Sequence, residues 1–294
     1  GHDGRRITIR QLLDHTSGIF GYTDDPLLRK RLFTEDFLRH RFDRHTPAEL
    51  VRTAMSHKPV FAPGGGWSYS NTNYVVAGMI IEKVTGHPYA EEIERRILRP
   101  LGLRSTSLPG ASPALPPPSG RGYMRFRGEG TRTALHDVTD LSPTTAWAAG
   151  EMVSSVDDLN TFYRALLRGR VVPGRQLEEM LTTVETGNRD VGRYGLGIAA
   201  QRLTCGTTVW GHGGGIQGSV SLVNATRDAR HTAAFGFNAL GIAFDPRRLL
   251  EAEFCGRAPG GKAPAPATKV PSAAGRPAPP ARHGDSAAPR SAKE

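Results

Sequence analysis

Two periodicities divide the chain. Up to about residue 181 the apolar positions recur at helical spacing, and beyond residue 194 they alternate with a period of two. Residues 6–13 open with a helix, with Thr8 as N-cap and Gln11 as its capping-box partner. The helix is expected to end at His15-Thr16-Ser17-Gly18, where Gly18 supplies a left-handed stop. Residues 19–46 are rich in charge and aromatics and show no clear period. Thr46-Pro47 starts another helix, with Leu50, Val51 and Met55 pointing inward. Tyr74, Val75, Val76, Met79, Ile80 and Val84 predict a buried helix that Gly86 stops, and His87-Pro88 restarts one with Ala90, Ile93, Ile97 and Leu98 as its apolar face. Residues 109–122 read as an irregular Pro/Gly/Ser-rich loop. Ser155 caps a helix answered by Asp158, with Leu159, Phe162, Tyr163, Leu166 and Leu167 as its stripe, and residues 173–181 form a short one. Residues 207–210, 219–223 and 232–237 are strand-like, and Asp245-Pro246 caps a final helix with Leu249, Leu250 and Phe254 inside. Helices first and meandering strands last imply an α+β fold.

Composition refines this picture in one place. The 294 residues carry a net charge of +10, and half of it lies beyond residue 256, where seven basic residues face two acidic ones. That segment is dominated by Pro, Ala, Gly and Arg and supports no core, so residues 257–294 are expected to be a disordered tail behind one domain over residues 1–256. The high charge therefore says little about nucleic acid, and no stretch interleaves basic and aromatic residues as a single-strand platform would. The longest apolar run, residues 75–81, is far short of the roughly 18 residues of a membrane span. Residues 1–4 read as the middle of a loop, with no initiator methionine or signal peptide, so the chain is expected to be cut at its N-terminus.

Residues 63–74, P-G-G-G-W-S-Y-S-N-T-N-Y, organise the candidate chemistry. A tight turn delivers Tyr69, Ser70 and Asn71 to the mouth of a helix, a rigid support for side chains that meet a ligand. A tyrosine is a poor base at neutral pH unless a nearby cation favours its phenolate. Asn71 is placed to orient a substrate amide or a lysine. The structural alternative is that Tyr69 packs on the helix and Asn71 caps it. His212-Gly213-Gly214-Gly215 is expected at a strand end, where backbone N–H groups face a ligand unobstructed and stabilise an oxyanion. The alternative is a glycine bend with a surface histidine. H-G-G-G also occurs in α/β-hydrolase esterases, but that fold needs G-x-S-x-G downstream and none follows His212. Cys205 and Cys255 either stay free or pair, and with no H-E-x-x-H they are too few for a structural zinc site.

Several spaced motifs then agree. Leu12-Leu13-Asp14-His15-Thr16-Ser17-Gly18, Pro63-Gly64, Tyr69-Ser70-Asn71, Glu82-Lys83-Val84-Thr85-Gly86, Pro100-Leu101-Gly102-Leu103 and His212-x-Gly214 resemble, in order, the penicillin-binding and β-lactamase-like serine hydrolases. The run Y-S-N-T-N-Y-V-V-A-G-M-I-I-E-K is especially similar to the secreted D-alanyl-D-alanine carboxypeptidases, and the resemblance covers about residues 6–256. It implies a helical region over residues 1–190, then an antiparallel sheet and a final helix over residues 191–256. It implies acyl transfer without metal or organic cofactor, on a peptidyl-D-alanine-like or β-lactam substrate, by a secreted monomer. Tyr69 would shuttle the proton, Asn71 and His212 would assist, and Gly215, beside Gly214, would give half of the oxyanion hole. Trp147 would line the acyl site, and Cys205 would pair with Cys255.

The departures matter as much. No serine in this chain has a lysine three residues on, so the S-x-x-K motif that carries the family's nucleophile is missing, and with it the first strands and the nucleophile helix. The chain alone is thus expected not to form an acyl-enzyme, and its sheet is expected to end in an exposed edge. The carboxypeptidases usually read H-T-G-T, whose threonine hydroxyls bind the substrate's terminal carboxylate, and they place an arginine near the position of Ala199. Here Gly213 and Gly215 have no hydroxyls, and Arg202 is the nearby candidate to compensate. Aminopeptidase, esterase and β-lactam-hydrolase activities remain open beside carboxypeptidase, as does a non-catalytic peptidoglycan-binding module.

Overall fold

The protein is described from a computed structural model that covers residues 3–126, 134–241 and 245–256. The expected tail over residues 257–294 lies outside the described residues. Ten α-helices occur among those residues: α1 (Ile9–Leu13), α2 (Pro26–Phe33), α3 (Phe37–His40), α4 (Pro47–Met55), α5 (Asn71–Thr85), α6 (Tyr89–Ile93), α7 (Arg99–Leu101), α8 (Val156–Leu167), α9 (Gly174–Leu181) and α10 (Pro246–Cys255). The strands are β1 (Tyr123–Arg125), β2 (Leu135–Asp137), β3 (Val184–Glu185), β4 (Arg193–Tyr194), β5 (Ala199–Arg202), β6 (Thr208–Ile216), β7 (Ser219–Thr226), β8 (Thr232–Phe237) and β9 (Ala239–Leu240). β3 to β8 form one sheet in sequence order, antiparallel throughout, and β2-β1-β9 form a second. This is the expected α+β arrangement, and no helix among the described residues is long and apolar enough to cross a membrane.

The period of two decides which side of the main sheet packs where. Val223 and Ala225 of β7 join Tyr163, Leu166 and Leu167 of α8 and Leu177 and Leu181 of α9. On the other side Leu250 of α10 packs with Leu203, Val209 and Leu222. Burying a leucine of this kind contributes roughly 1.5–3 kcal/mol. The disulfide between Cys205 and Cys255 ties the end of α10 to the turn that precedes β6, which resolves the open question of the two cysteines. β8 is the last strand of the sheet, with β7 as its strand partner.

Three expectations need correction. The first helix starts at Ile9 and ends at Leu13, although the Thr8–Gln11 capping box forms. Its C-cap is Asp14, and the next residue, His15, already has a left-handed φ of 63°, so the stop comes before Gly18. The inward face of α5 is Thr72, Asn73, Val75 and Gly78, whereas Val84 is 78 % exposed. Small residues are required there: a Cβ on Gly78 would come within 2.5 Å of the Ala148 Cβ and 2.9 Å of the Trp147 ring. Third, the glycine run lies inside β6 rather than at a strand end. Gly213, Gly214 and Gly215 stand opposite Leu222, Ser221 and Val220 of β7, which hold them extended.

Opening the Cys205–Cys255 link with a double serine substitution is expected to lower the unfolding free energy by roughly 4 kcal/mol, from the closure entropy of a loop of 50 residues. A denaturant midpoint unchanged from that of the oxidised protein would contradict the stapling role.

Candidate active site

The site grows from the short link between α1 and the turn before α5. His15 is fully buried in its left-handed conformation, and its Nδ1 accepts from the Ser70 backbone N–H at 3.2 Å and from Asn73 Nδ2 at 3.1 Å. Asn73 is oriented by the Ser17 hydroxyl, which donates to its Oδ1 at 2.6 Å. The His15 carbonyl accepts from Ser68 N–H at 3.1 Å, so one residue holds the chain on both sides of Tyr69. Two donors on Nδ1 require the neutral Nε2–H tautomer. Burial holds His15 in that form, pushing its pKa down to about 3.

Aromatic rings close around it. Tyr69 lies against His15 at 4.1 Å between centroids, with Tyr194 at 5.0 Å, Tyr74 at 5.4 Å and Trp67 at 6.2 Å. His212 of β6 completes the group, 6.1 Å from Tyr69. Its Nε2 is 2.9 Å from the Tyr194 hydroxyl, and its Nδ1 is 2.5 Å from the Gly213 carbonyl. Burial lowers the His212 pKa, partly opposed by the Gly213 carbonyl, and raises that of Tyr69 to about 12. Among the described residues no cation stands beside Tyr69 to favour its phenolate, so in this arrangement Tyr69 is a neutral proton donor.

The structure thus brings Tyr69 and His212 together and adds His15, Tyr74 and Tyr194. His15 and Tyr74 lay within recognised motifs without a role, and Tyr194 carried no sequence signal beyond preceding the strands. Asn71 is the first residue of α5, while Ser70 is the N-cap, so Asn71 does not cap the helix. Its side-chain amide donates over 3.4 Å to Thr23 Oγ1. Trp147 packs elsewhere, at 4.7 Å from Tyr89 and against Gly78, and Tyr89 donates in turn to buried Glu151. Arg202 faces Thr208, four residues down β6 from His212, which is too far along the strand for it to serve beside the glycines.

β5 pairs with β6 only as far as Gly211. From His212 onward one edge of β6 therefore faces no strand among the described residues, and backbone groups of the exposed glycines 213–215 are available on that side. A neutral histidine, a neutral phenol and an open row of backbone donors suit proton transfer and stabilisation of a developing oxyanion. Among the described residues no group of three His, Cys, Asp or Glu is placed to hold a metal.

Comparison with known proteins gives a consistent picture. The protein-family model described as Beta-lactamase matches residues 1–254. A solved D-stereospecific amidohydrolase from Streptomyces sp. is 52 % identical, with a TM-score of 0.83, over 88 % of this chain and 75 % of that one. A D-amino acid amidase from Ochrobactrum anthropi SV3, solved with L-phenylalanine amide, is 30 % identical with a TM-score of 0.66, over 79 % of this chain and 64 % of that one. Penicillin-binding protein 4* of Bacillus subtilis is 27 % identical over 78 % of this chain and 51 % of its own length. The chain spans about half the length of the curated relatives it matches.

The His15 environment has a stability consequence with a definite sign. Its pKa drops from 6.5 to about 3 on folding, so between those values the unfolded chain binds the extra proton. Stability is full above pH 6.5 and falls by roughly 1.4 kcal/mol per pH unit below it. His212, also depressed, acts in the same direction. His15→Gln is expected to be less stable at pH 7 and to show a shallower acid slope in urea titrations. An acid slope equal to that of the unsubstituted protein would contradict the assignment.

Proposed function

This chain belongs to the beta-lactamase family of serine hydrolases, and we propose that the whole protein hydrolyses amide bonds next to D-amino acid residues, as an amidase or aminopeptidase rather than a carboxypeptidase. The carrying observation is the glycine row of β6. A carboxypeptidase must grip a free carboxylate with charge-assisted hydrogen bonds. Gly213 and Gly215 offer no hydroxyl, Ala199 offers a methyl group, and Arg202 lies down the strand. The identity of 52 % to a D-stereospecific amidohydrolase supports the same reading.

In this proposal the intact protein supplies a nucleophilic serine and a lysine of the S-x-x-K type, which none of these 294 residues provides. Acylation of the serine expels the amine, and water then frees the D-amino acid. Tyr69 passes the proton, and the lysine's charge lowers its pKa from about 12 into a useful range. Asn71 orients the substrate amide, and the Gly215 N–H stabilises the oxyanion. The substrate is a small molecule, and no organic cofactor enters. The Cys205–Cys255 disulfide supports an extracytoplasmic setting.

The test is a substrate comparison with the intact protein. The kcat/KM for a D-amino acid amide is expected to exceed that for an acyl-D-alanyl-D-alanine peptide by roughly tenfold or more, the worth of one lost charged hydrogen bond. The L-amide is expected to be a poor substrate. Faster release of D-alanine from the peptide would overturn the proposal in favour of a carboxypeptidase.

A further inference from the structure

The loop between α1 and α2 is stitched to the first turn of α5. The Tyr22 N–H donates to the Thr72 hydroxyl at 3.0 Å, and that hydroxyl donates to the Phe20 carbonyl at 2.8 Å. Thr23 Oγ1 accepts from the Asn71 amide at 3.4 Å. These contacts bring Asp24 beside the Tyr69–Asn71 segment, and Gly21 permits the approach. Its φ of −75° is open to any residue, so what it spares is space: a Cβ there would lie 2.9 Å from Asp24 Oδ2 and 3.8 Å from the Ser70 Cα. The Asp24 carboxylate and the Ser70 backbone thus border one small space. Two other acids nearby are committed. Asp25 caps α2 through the Leu28 N–H at 2.9 Å and meets His57 at 3.0 Å, and Asp14 holds the Thr16 N–H and hydroxyl. Among the described residues no hydrogen bond reaches the Asp24 carboxylate, and its ion-pair partner, Arg29, stands 3.6 Å away. The Asp24 side chain is 29 % exposed, so a small cation has access to it. Burial raises its pKa, partly opposed by Arg29, and a closer cation would relieve that cost.

We propose that Asp24 is a specificity residue that pairs with the α-ammonium of an amino acid amide whose carbonyl lies at Asn71, displacing Arg29 as the substrate enters. The proposal rests on the amidase reading of this site and names the group by which it selects its substrate. An amino acid amide carries a largely protonated α-amine at neutral pH. His15, Tyr69 and His212 offer that amine no counter-charge, because burial keeps all three neutral. In the substrate the ammonium stands one carbon from the carbonyl. In the protein Asp24 follows Thr23, whose hydroxyl meets the Asn71 amide. The Asp24–Arg29 pair is long and partly in solvent, so it contributes little, and exchanging it for a substrate ammonium gains a charge-assisted hydrogen bond. An N-acylated residue lacks that charge and gains nothing from Asp24.

The test compares kcat/KM of the intact protein for D-phenylalanine amide and for its N-acetyl derivative. The unsubstituted protein is expected to prefer the free amine. Asp24→Asn is expected to lower kcat/KM for the free amide roughly tenfold or more, mainly through KM, and to leave the acetylated amide nearly unchanged. Arg29→Gln removes the competing cation and is expected to lower KM for the free amide, whereas a merely structural ion pair would make both variants lose activity alike. A preference for the acetylated amide, an equal loss on both substrates, or parallel losses in Asp24→Asn and Arg29→Gln would overturn the proposal. If Asp24→Asn does not fold, the preference of the unsubstituted protein and the effect of Arg29→Gln decide the matter. If the protein turns over neither amide, calorimetric titration with D-phenylalanine amide decides it. Weaker binding to Asp24→Asn than to the unsubstituted protein would then support the ammonium site and count against the amidase reading alone. Equal binding, or none to either, would overturn the ammonium site as well.

Discussion

Everything at this site depends on a histidine that burial keeps neutral down to about pH 3. His15 turns the chain sharply after α1, and its unprotonated Nδ1 is the meeting point for the Ser70 N–H and Asn73. Protonating it would remove that acceptor and place a cation among three tyrosine rings and a tryptophan. The backbone turn, the N-terminus of α5 and the position of Tyr69 are therefore one arrangement, held by one neutral imidazole. The two bonds at Nδ1 are what fix the ring, because turning it would leave the Ser70 N–H and the Asn73 amide without their acceptor.

The second half of the site arrives from the sheet. The β6–β7 hairpin is anchored at its tip, where buried Gln217 donates to the Leu32 carbonyl of α2 at 2.8 Å. It is anchored at its base by the disulfide to α10. Between these fixed ends His212 meets Tyr194, while the glycines after it stay extended with one free edge. The helical region and the sheet thus contribute neutral partners to a common cluster.

Much of this was legible in the sequence, and the rest was hidden for physical reasons. The capping box at Thr8, the Gly86 stop of α5, the caps at Thr46 and Ser155, the strand period and the family resemblance all rest on local rules, and they hold. Asp25-Pro26, which caps α2 and occupies its first position, is a local signal inside a stretch without a clear period. The inward face of α5 misled because periodicity counts apolar residues, whereas a close approach to Trp147 and Ala148 selects Gly78. The length of β6 was hidden because glycine has little strand propensity, and only pairing with β7 extends it. The contacts of Tyr74 with Leu13 and of Tyr194 with His212 join residues far apart in the chain, and no local pattern announces them.

The central claim is that the cluster is neutral and that Tyr69 keeps its proton until a cation faces it. The most direct measurement is the titration of Tyr69 in this chain, read from the ring-carbon NMR signal that disappears in Tyr69→Phe. The account predicts a phenol that stays protonated until about pH 12. A phenolate already present near neutral pH, in a chain whose sequence holds no serine with a lysine three residues on, would contradict it.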